Sequence, residues 1–244
     1  FTQGNFNNHI GVPLTLLQLK PEHEMAVIEM GANHPGEIET LANIACPDFG
    51  IITNVVKAHL EGFGSFEGVI RTKGELYDYI RANGGSLFVN LDNPILNDLS
   101  ANISRVGYAV TSKEAVVKGS VISGGPFLKL DWKKSNEEPS HMVTTNLIGE
   151  YNAENVLAAI CIGLHFGVTP GQINRALEDY QPTNNRSQFK ETEKNHLIID
   201  AYNANPTSMN ASIINFSHMH APKKAVILGD MFELGDQSQQ VRGL

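Results

Sequence analysis

Basic clusters, long apolar runs and cysteine pairs are all missing from this sequence. Its 18 lysines and arginines are outnumbered by 26 aspartates and glutamates, giving a net charge of −8. No Lys/Arg run is dense enough to grip a polyanionic backbone, so no nucleic-acid partner is expected. No apolar stretch reaches the roughly 20 residues of a membrane-spanning helix, and no signal peptide precedes Phe1, so neither insertion nor export is expected. The 2 cysteines, Cys46 and Cys161, sit among apolar neighbours and read as core residues of a reducing cytoplasm, not as a disulfide. The 1 tryptophan, Trp132, reads as packing rather than as a stacking platform. Nothing matches G-x-x-x-x-G-K-[ST], the loop whose backbone cradles phosphates.

What is present is the composition of an ordinary soluble globular protein, 41% hydrophobic and 18% charged, in 244 residues that suffice for one large domain or two smaller ones. The chain opens at Phe1 without an initiator Met and stops at Leu244 just after a strand and turn, so both ends read as cuts. The stretch that organises the rest is Val27 to Ile38. Met25 to Met30 is a short apolar run broken by Gly31, which predicts a buried strand with Glu29 near its carboxyl end. In open α/β sheets ligands bind beyond the carboxyl ends of strands, and a lone acid there needs a cation or satisfied hydrogen bonds. Two readings stand for Glu29: metal or phosphate chemistry, or a helix cap or Arg pair. Before it, the loop Thr2 to Pro13 carries Asn5, Asn7 and Asn8, either a donor-rich ligand surface or simply turn chemistry. Short helices are predicted at Pro13 to Leu19 and after Pro35 through Ile38, Leu41 and Ile44, with a buried strand at Asp48 to Asn54.

His59 falls in a glycine-bounded loop past that strand, expected on the same side of the sheet as Glu29; it is a ligand if it has a partner, and otherwise an ordinary loop histidine. The candidate partner is Lys73. The segment Ser65 to Arg81 predicts a helix closed by Asn83-Gly84, and Lys73 lies on its apolar stripe with Val69, Leu76 and Ile80, opposite Arg71, Glu75 and Asp78. Either its stem packs inside while the ammonium reaches water, or burial leaves a neutral amine able to take up carbon dioxide as a metal-binding carbamate.

From Gly84 to Gly149 the pattern turns to short strands, at Ser86 to Asn90, Ile103 to Val110, Ala115 to Ile122, Pro126 to Lys133 and His141 to Leu147, a small antiparallel layer. A helix follows with Asn152 as its cap, and Asn155 one turn in, placed to read a purine edge or to bond the cap. Thr169-Pro170-Gly171-Gln172 opens another helix that runs to about Tyr180. The polar break at Gln181 to Asn185 divides the chain into 1–184 and 185–244. Beyond it, strands at His196 to Asp200 and Lys224 to Gly229 flank a helix from Pro206, the opening of a parallel α/β domain. Arg186 at the boundary is a phosphate contact or a surface ion pair.

Taken in order, Gly4 to Pro13, Glu29-Met30-Gly31-Ala32-Asn33-His34-Pro35-Gly36-Glu37-Ile38, Ala58 to Ser65, Lys73-Gly74-Glu75, Asp200 to Met209 and Leu228 to Gly235 resemble the Mur ligases over nearly the whole chain. The resemblance implies an α/β fold: a central ATPase-type domain with a mostly parallel sheet and a small antiparallel layer, then the start of a Rossmann-like C-terminal domain. It implies an ATP-dependent carbon–nitrogen ligase of peptidoglycan synthesis, most like the member that joins D-alanyl-D-alanine to UDP-N-acetylmuramoyl-tripeptide through an acyl phosphate, as a cytoplasmic monomer. By the resemblance Glu29 holds a magnesium bridging the ATP phosphates, while His59 and carbamylated Lys73 hold a second near the acyl acceptor. Asn155 contacts adenine, Asp200 ribose and Arg186 phosphate; Asn5, Asn7 and Asn8 line the substrate side. By the resemblance the family's glycine-rich Gly-Lys-Thr loop and the UDP-sugar-binding domain, which precede the Thr2 region, and most of the last domain are expected to lie outside this stretch, so by itself it is expected to be inactive. Two alternatives remain: a folylpolyglutamate synthase, against which Tyr202-Asn203-Ala204-Asn205-Pro206 and Gly229-Asp230-Met231 speak, and a non-catalytic nucleotide-binding regulator of the same fold.

Overall fold

The computed structural model describes residues 1–56, 60–122, 126–135, 139–183, 185–201 and 206–229. Six strands form one sheet in the order β1-β2-β3-β4-β5-β6: Phe49–Ile51, Ser86–Asn90, Ser104–Ala109, Val117–Ile122, Phe127–Lys134 and His141–Ile148. Long helical crossovers join β1 to β2 and β2 to β3, the connection parallel neighbours require. β3 and β4 pair in parallel, whereas β4, β5 and β6 run antiparallel, so the mostly parallel sheet and its small antiparallel layer are both present. The chain folds as two compact units, one built on Phe1–Leu87 with Ile95–Arg105, the other on Phe88–Pro94 with the residues from Val106.

In the first unit, α1 (Gly11–Leu16) and α2 (Glu37–Ala45) precede β1, and the short α3 (Leu60–Phe63) leads into α4 (Phe66–Asn83). Local sequence sets both ends of α4. Ser65 is extended and its hydroxyl accepts the Gly68 amide at 3.1 Å, a cap worth about 1 kcal/mol. At the other end Gly84 takes φ 69°, which its missing Cβ permits. Val69, Tyr77 and Ile80 are fully buried on one face, with Ile38 and Leu41 of α2 also in the core. Gly50 of β1 is closely packed: a Cβ there would stand 3.1 Å from both Ile80 and Leu87, which would have to give by a few tenths of an ångström. The next helix, α5 (Pro94–Leu99), is not expected from the sequence, although Pro94 at its first position is a start signal.

In the second unit, α6 (Ala153–His165) packs on β4 and β5, and α7 (Pro170–Asp179) on β6. Trp132 of β5 is buried, and its indole Nε1 donates to Asn174 Oδ1 of α7 at 2.9 Å, as expected of a packing residue whose one polar atom must be satisfied. The Gln172 carboxamide oxygen accepts from both the Thr169 amide, at 3.1 Å, and its hydroxyl, at 2.7 Å, fixing the start of α7. β7 (Gln188–Glu191) and β8 (His196–Ile199) form an antiparallel pair, followed by α8 (Pro206–His218).

Several expectations need correction. Met25 to Met30 is not a strand; its backbone makes isolated bonds, Thr2 N–H to Val27 O at 3.1 Å and Gly31 N–H to Asn7 O at 2.8 Å, with no ladder, and Met25 and Val27 are 55% and 66% exposed. Lys224 to Gly229 is not a strand either, and Ile227 is 99% exposed. Cys46 is exposed, not core, because it ends α2 in the left-handed conformation at φ 49°. Cys161 is buried as expected, and that burial pushes its thiol up to about 12. Asn152 does not cap α6; its amide donates to Ile148 O at 2.8 Å.

Asp92, just past β2, gathers the loop after β3 within the second unit. Its carboxylate accepts from Val110 N–H at 2.6 Å, Thr111 N–H at 2.9 Å, Thr111 Oγ1 at 2.6 Å and Ser112 N–H at 2.8 Å. Burial pushes its pKa up, but the hydrogen bonds from Thr111, Val110 and Ser112 outweigh it and hold it below the ordinary 3.8. A carboxyl depressed in the folded state contributes stability that is full above its unfolded value and lost as pH falls through the folded one. Asp92→Asn therefore lowers stability at neutral pH and flattens the acid limb below about pH 4. Urea titrations at several pH values check this; identical acid limbs for both proteins would refute it.

Candidate active site

The Asn-rich loop, the Glu29 segment and the Lys73 helix come together in the first unit. Asn7 Nδ2 donates to Glu29 Oε1 at 3.0 Å, joining residues 22 apart, while the Thr2 hydroxyl accepts the Glu29 amide at 2.8 Å. Gly31 lets the Asn7 carboxamide come close: a Cβ there would stand 2.8 Å from Asn7 Nδ2 and would push that side chain aside. The Asn8 side chain instead accepts the Ile10 and Gly11 amides at 3.0 and 2.9 Å, so it shapes the turn into α1. Asn5 is exposed, and its carbonyl accepts the Asn7 amide at 2.7 Å.

After Gly31 the loop is held by carboxylates. Glu37 Oε2 accepts the Asn33 and His34 amides at 2.7 and 3.1 Å, and the Asn33 bond is the largest cause holding the Glu37 carboxyl below its usual range. The His34 ring approaches Glu37 at 3.5 Å. Gly62 lies against the Asn33 backbone so closely that a Cβ would fall 2.1 Å from its carbonyl oxygen.

Lys73 is half-buried on α4, one turn from buried Val69 and one turn from buried Tyr77, and burial holds its amine below the ordinary lysine value. Glu29 is exposed, at the end of an unpaired extended segment rather than of a parallel strand as expected. Among the described residues its Oε1 accepts from the neutral Asn7 amide, which leaves carboxylate capacity for a hard cation. An unmodified Lys73 offers such a cation nothing, since an ammonium repels it. His59, expected beside Glu29, lies outside the described residues. Among the described residues no three His, Cys, Asp or Glu side chains cluster as a metal site.

The nucleotide candidates lie in the second unit. Asn155 is exposed and donates to Asn152 Oδ1 at 3.4 Å. Asp200 follows β8, whose described partner β7 is antiparallel, not parallel as expected; its carboxylate accepts from Ser187 N–H at 3.4 Å and from the Ser212 hydroxyl. Tyr151 OH shares a hydrogen bond with Ser187 Oγ at 2.7 Å, extending that network. Arg186 is exposed. A cavity of about 440 Å³ lies at the amino ends of β1 and β2 beside Cys46, Asp48 and Tyr79, and none of the candidate residues lines it.

These features define an α/β protein with an acid-bearing loop held on a helix that carries a desolvated lysine. The Mur ligase middle domain model matches residues 1–163, and the model for the Mur ligase, glutamate ligase domain matches residues 185–243. The chain belongs to the Mur ligase family. It is 34% identical over 245 residues to the UDP-N-acetylmuramoyl-tripeptide–D-alanyl-D-alanine ligase of Bacillus subtilis, covering 96% of this chain and 50% of that protein. A crystal structure of MurF from Acinetobacter baumannii superposes with a TM-score of 0.87 at 32% identity, over 98% of this chain and 52% of the other. The MurF ligase from Thermotoga maritima, solved in complex with ADP, gives 0.85 at 25% identity, over 98% and 55%. The chain thus spans about half the length of these relatives. No helix among the described residues is long and apolar enough to cross a membrane.

Proposed function

We propose that this chain carries the acyl-activating part, residues 1–184, and the beginning of the C-terminal part, residues 185–244, of a cytoplasmic, monomeric ligase that joins D-alanyl-D-alanine to UDP-N-acetylmuramoyl-tripeptide. The observation that carries this reading is the hydrogen bond from Asn7 to Glu29, together with the clamp from Glu75 to Gly36, which gathers three of the motifs into one unit. In the reaction the tripeptide carboxylate takes the γ-phosphoryl group of ATP, the D-alanyl-D-alanine amine attacks the acyl carbon, and phosphate leaves. Phosphoryl transfer of this kind is positioning plus charge neutralisation. Magnesium supplies that neutralisation when bound, with Glu29 as one holder, and His59 and carbamylated Lys73 as the others. Asn155, Asp200 and Arg186 bind the nucleotide, and Asn5, Asn7 and Asn8 border the substrate. Of these, Asn7 is best placed to orient Glu29, and Asn8 acts on loop shape.

The intact enzyme given ATP, Mg²⁺, the muropeptide and D-alanyl-D-alanine is expected to form one amide and one phosphate per ATP consumed. Replacing the muropeptide with a folate and the dipeptide with glutamate should give no product. Glutamate addition to the folate, or no turnover with either pair, would overturn the assignment.

A further inference from the structure

Glu75 lies on α4 two residues beyond Lys73, yet its carboxylate reaches a different helix. Its Oε1 accepts the Gly36 amide at 2.7 Å and its Oε2 the Glu39 amide at 3.0 Å, contacts spanning 39 and 36 residues of sequence. Gly36 is the N-cap of α2 and takes φ 84°, a left-handed conformation that favours glycine. Glycine brings no capping side chain, so two of the orphan amides of that helix end would be left without a protein partner. Glu75 takes that place from the neighbouring helix, and its negative charge suits the positive end of the helix dipole. Gly36 also closes the loop that begins at Gly31, whose own amide is held by Asn7 O at 2.8 Å. Between these points Glu37 holds Asn33 and His34, and Gly62 abuts Asn33.

We propose that Glu75 is a positioning residue for the ligase site: it fixes the Gly31–Gly36 loop, and through it Glu29, to the helix that presents Lys73. The inference rests on the ligase reading above. α2 and α4 pack together, and Ile38 and Leu41 of α2 and Val69 of α4 are all buried, so losing the clamp is expected to loosen the loop without parting the helices. A carboxylate suits the task because two N–H groups converge on it. A carboxamide of the same shape accepts one and turns its own NH₂ toward the other.

The test is Glu75→Gln in the intact enzyme, with Glu29→Gln beside it. Misplacing a charged ligand group is costly, so kcat is expected to fall roughly 10-fold and the Mg²⁺ concentration for half-maximal rate to rise several-fold, with the KM for D-alanyl-D-alanine unchanged. A variant that loses thermal stability but keeps the parent's kcat and Mg²⁺ requirement would make Glu75 a purely structural cap and overturn the proposal. Should Glu75→Gln not fold, hydrogen exchange in the parent protein decides. Gly36 and Glu39 amides that are protected and gain protection when Mg²⁺ and nucleotide bind support the clamp as a positioning contact, and amides whose exchange is unprotected or unchanged by Mg²⁺ and nucleotide refute it. Full activity in Glu29→Gln would instead sink the ligase-site reading itself.

Discussion

Lys73→Ala in the intact enzyme is expected to lower ligation by roughly 10²–10³-fold, the cost of removing one preorganised charge-stabilising group, with its circular dichroism unchanged. Lys73 sits at helical spacing between Val69 and Tyr77, both 1% exposed, and burial already disfavours its charged form. A neutral amine there is a nucleophile toward carbon dioxide: nitrogen bonds the carbon, one proton leaves, and the product carries two oxygens and a negative charge. That reverses the electrostatic sign of the site and supplies the ligand type magnesium prefers. A small carboxylate such as formate should restore part of the activity of Lys73→Ala by occupying the vacated space. Dependence of the parent enzyme on dissolved carbon dioxide is a second readout. Near-normal turnover by Lys73→Ala, in air and in carbon-dioxide-free buffer, would rule out the carbamate.

The second large effect is an absence. Residues 1–244 by themselves are expected to hydrolyse no ATP and to form no amide above background. The proposed roles of Glu29, Lys73 and the nucleotide candidates cover a cation and the nucleoside, but nothing in the sequence matches the glycine-rich Lys-Ser/Thr loop that cradles β- and γ-phosphates. A phosphate-release assay on the purified chain, with the intact enzyme as reference, measures this. Ligation by the chain at a rate near the reference would mean that the phosphates are held by residues other than those assigned.

Features written in a few adjacent residues are legible from sequence. The ends of α4 follow from Ser65 and Gly84, the start of α7 from Thr169 and Gln172, and β2 to β6 from their alternating or apolar runs. What sequence misses depends on partners distant along the chain. An apolar run such as Met25 to Met30 is a strand only when a neighbour supplies a ladder, and here it meets isolated bonds from Thr2 and Asn7. β7, with the polar sequence Gln-Phe-Lys-Glu, has no apolar signal and exists because β8 pairs with it. Cys46 reads as internal from its neighbours Ile44 and Ala45, but a left-handed helix end turns it outward. Glu29, Lys73 and Asn7 are legible as residue types in motifs. Glu75 reads only as part of the exposed face, because its two partners lie a helix away; a glycine at the N-cap of α2, unable to cap for itself, is the one available hint.

The most direct test of the ligase assignment follows one oxygen atom. Muropeptide labelled with ¹⁸O in the terminal carboxylate is incubated with the intact enzyme, ATP, Mg²⁺ and D-alanyl-D-alanine, and the released phosphate is analysed by mass spectrometry. Because the carboxylate oxygen becomes the bridge of the acyl phosphate and leaves with phosphorus when the amine attacks, one labelled oxygen should appear in phosphate for each amide formed. Amide formation with unlabelled phosphate, or phosphate release without an amide, would contradict the mechanism assigned to this chain.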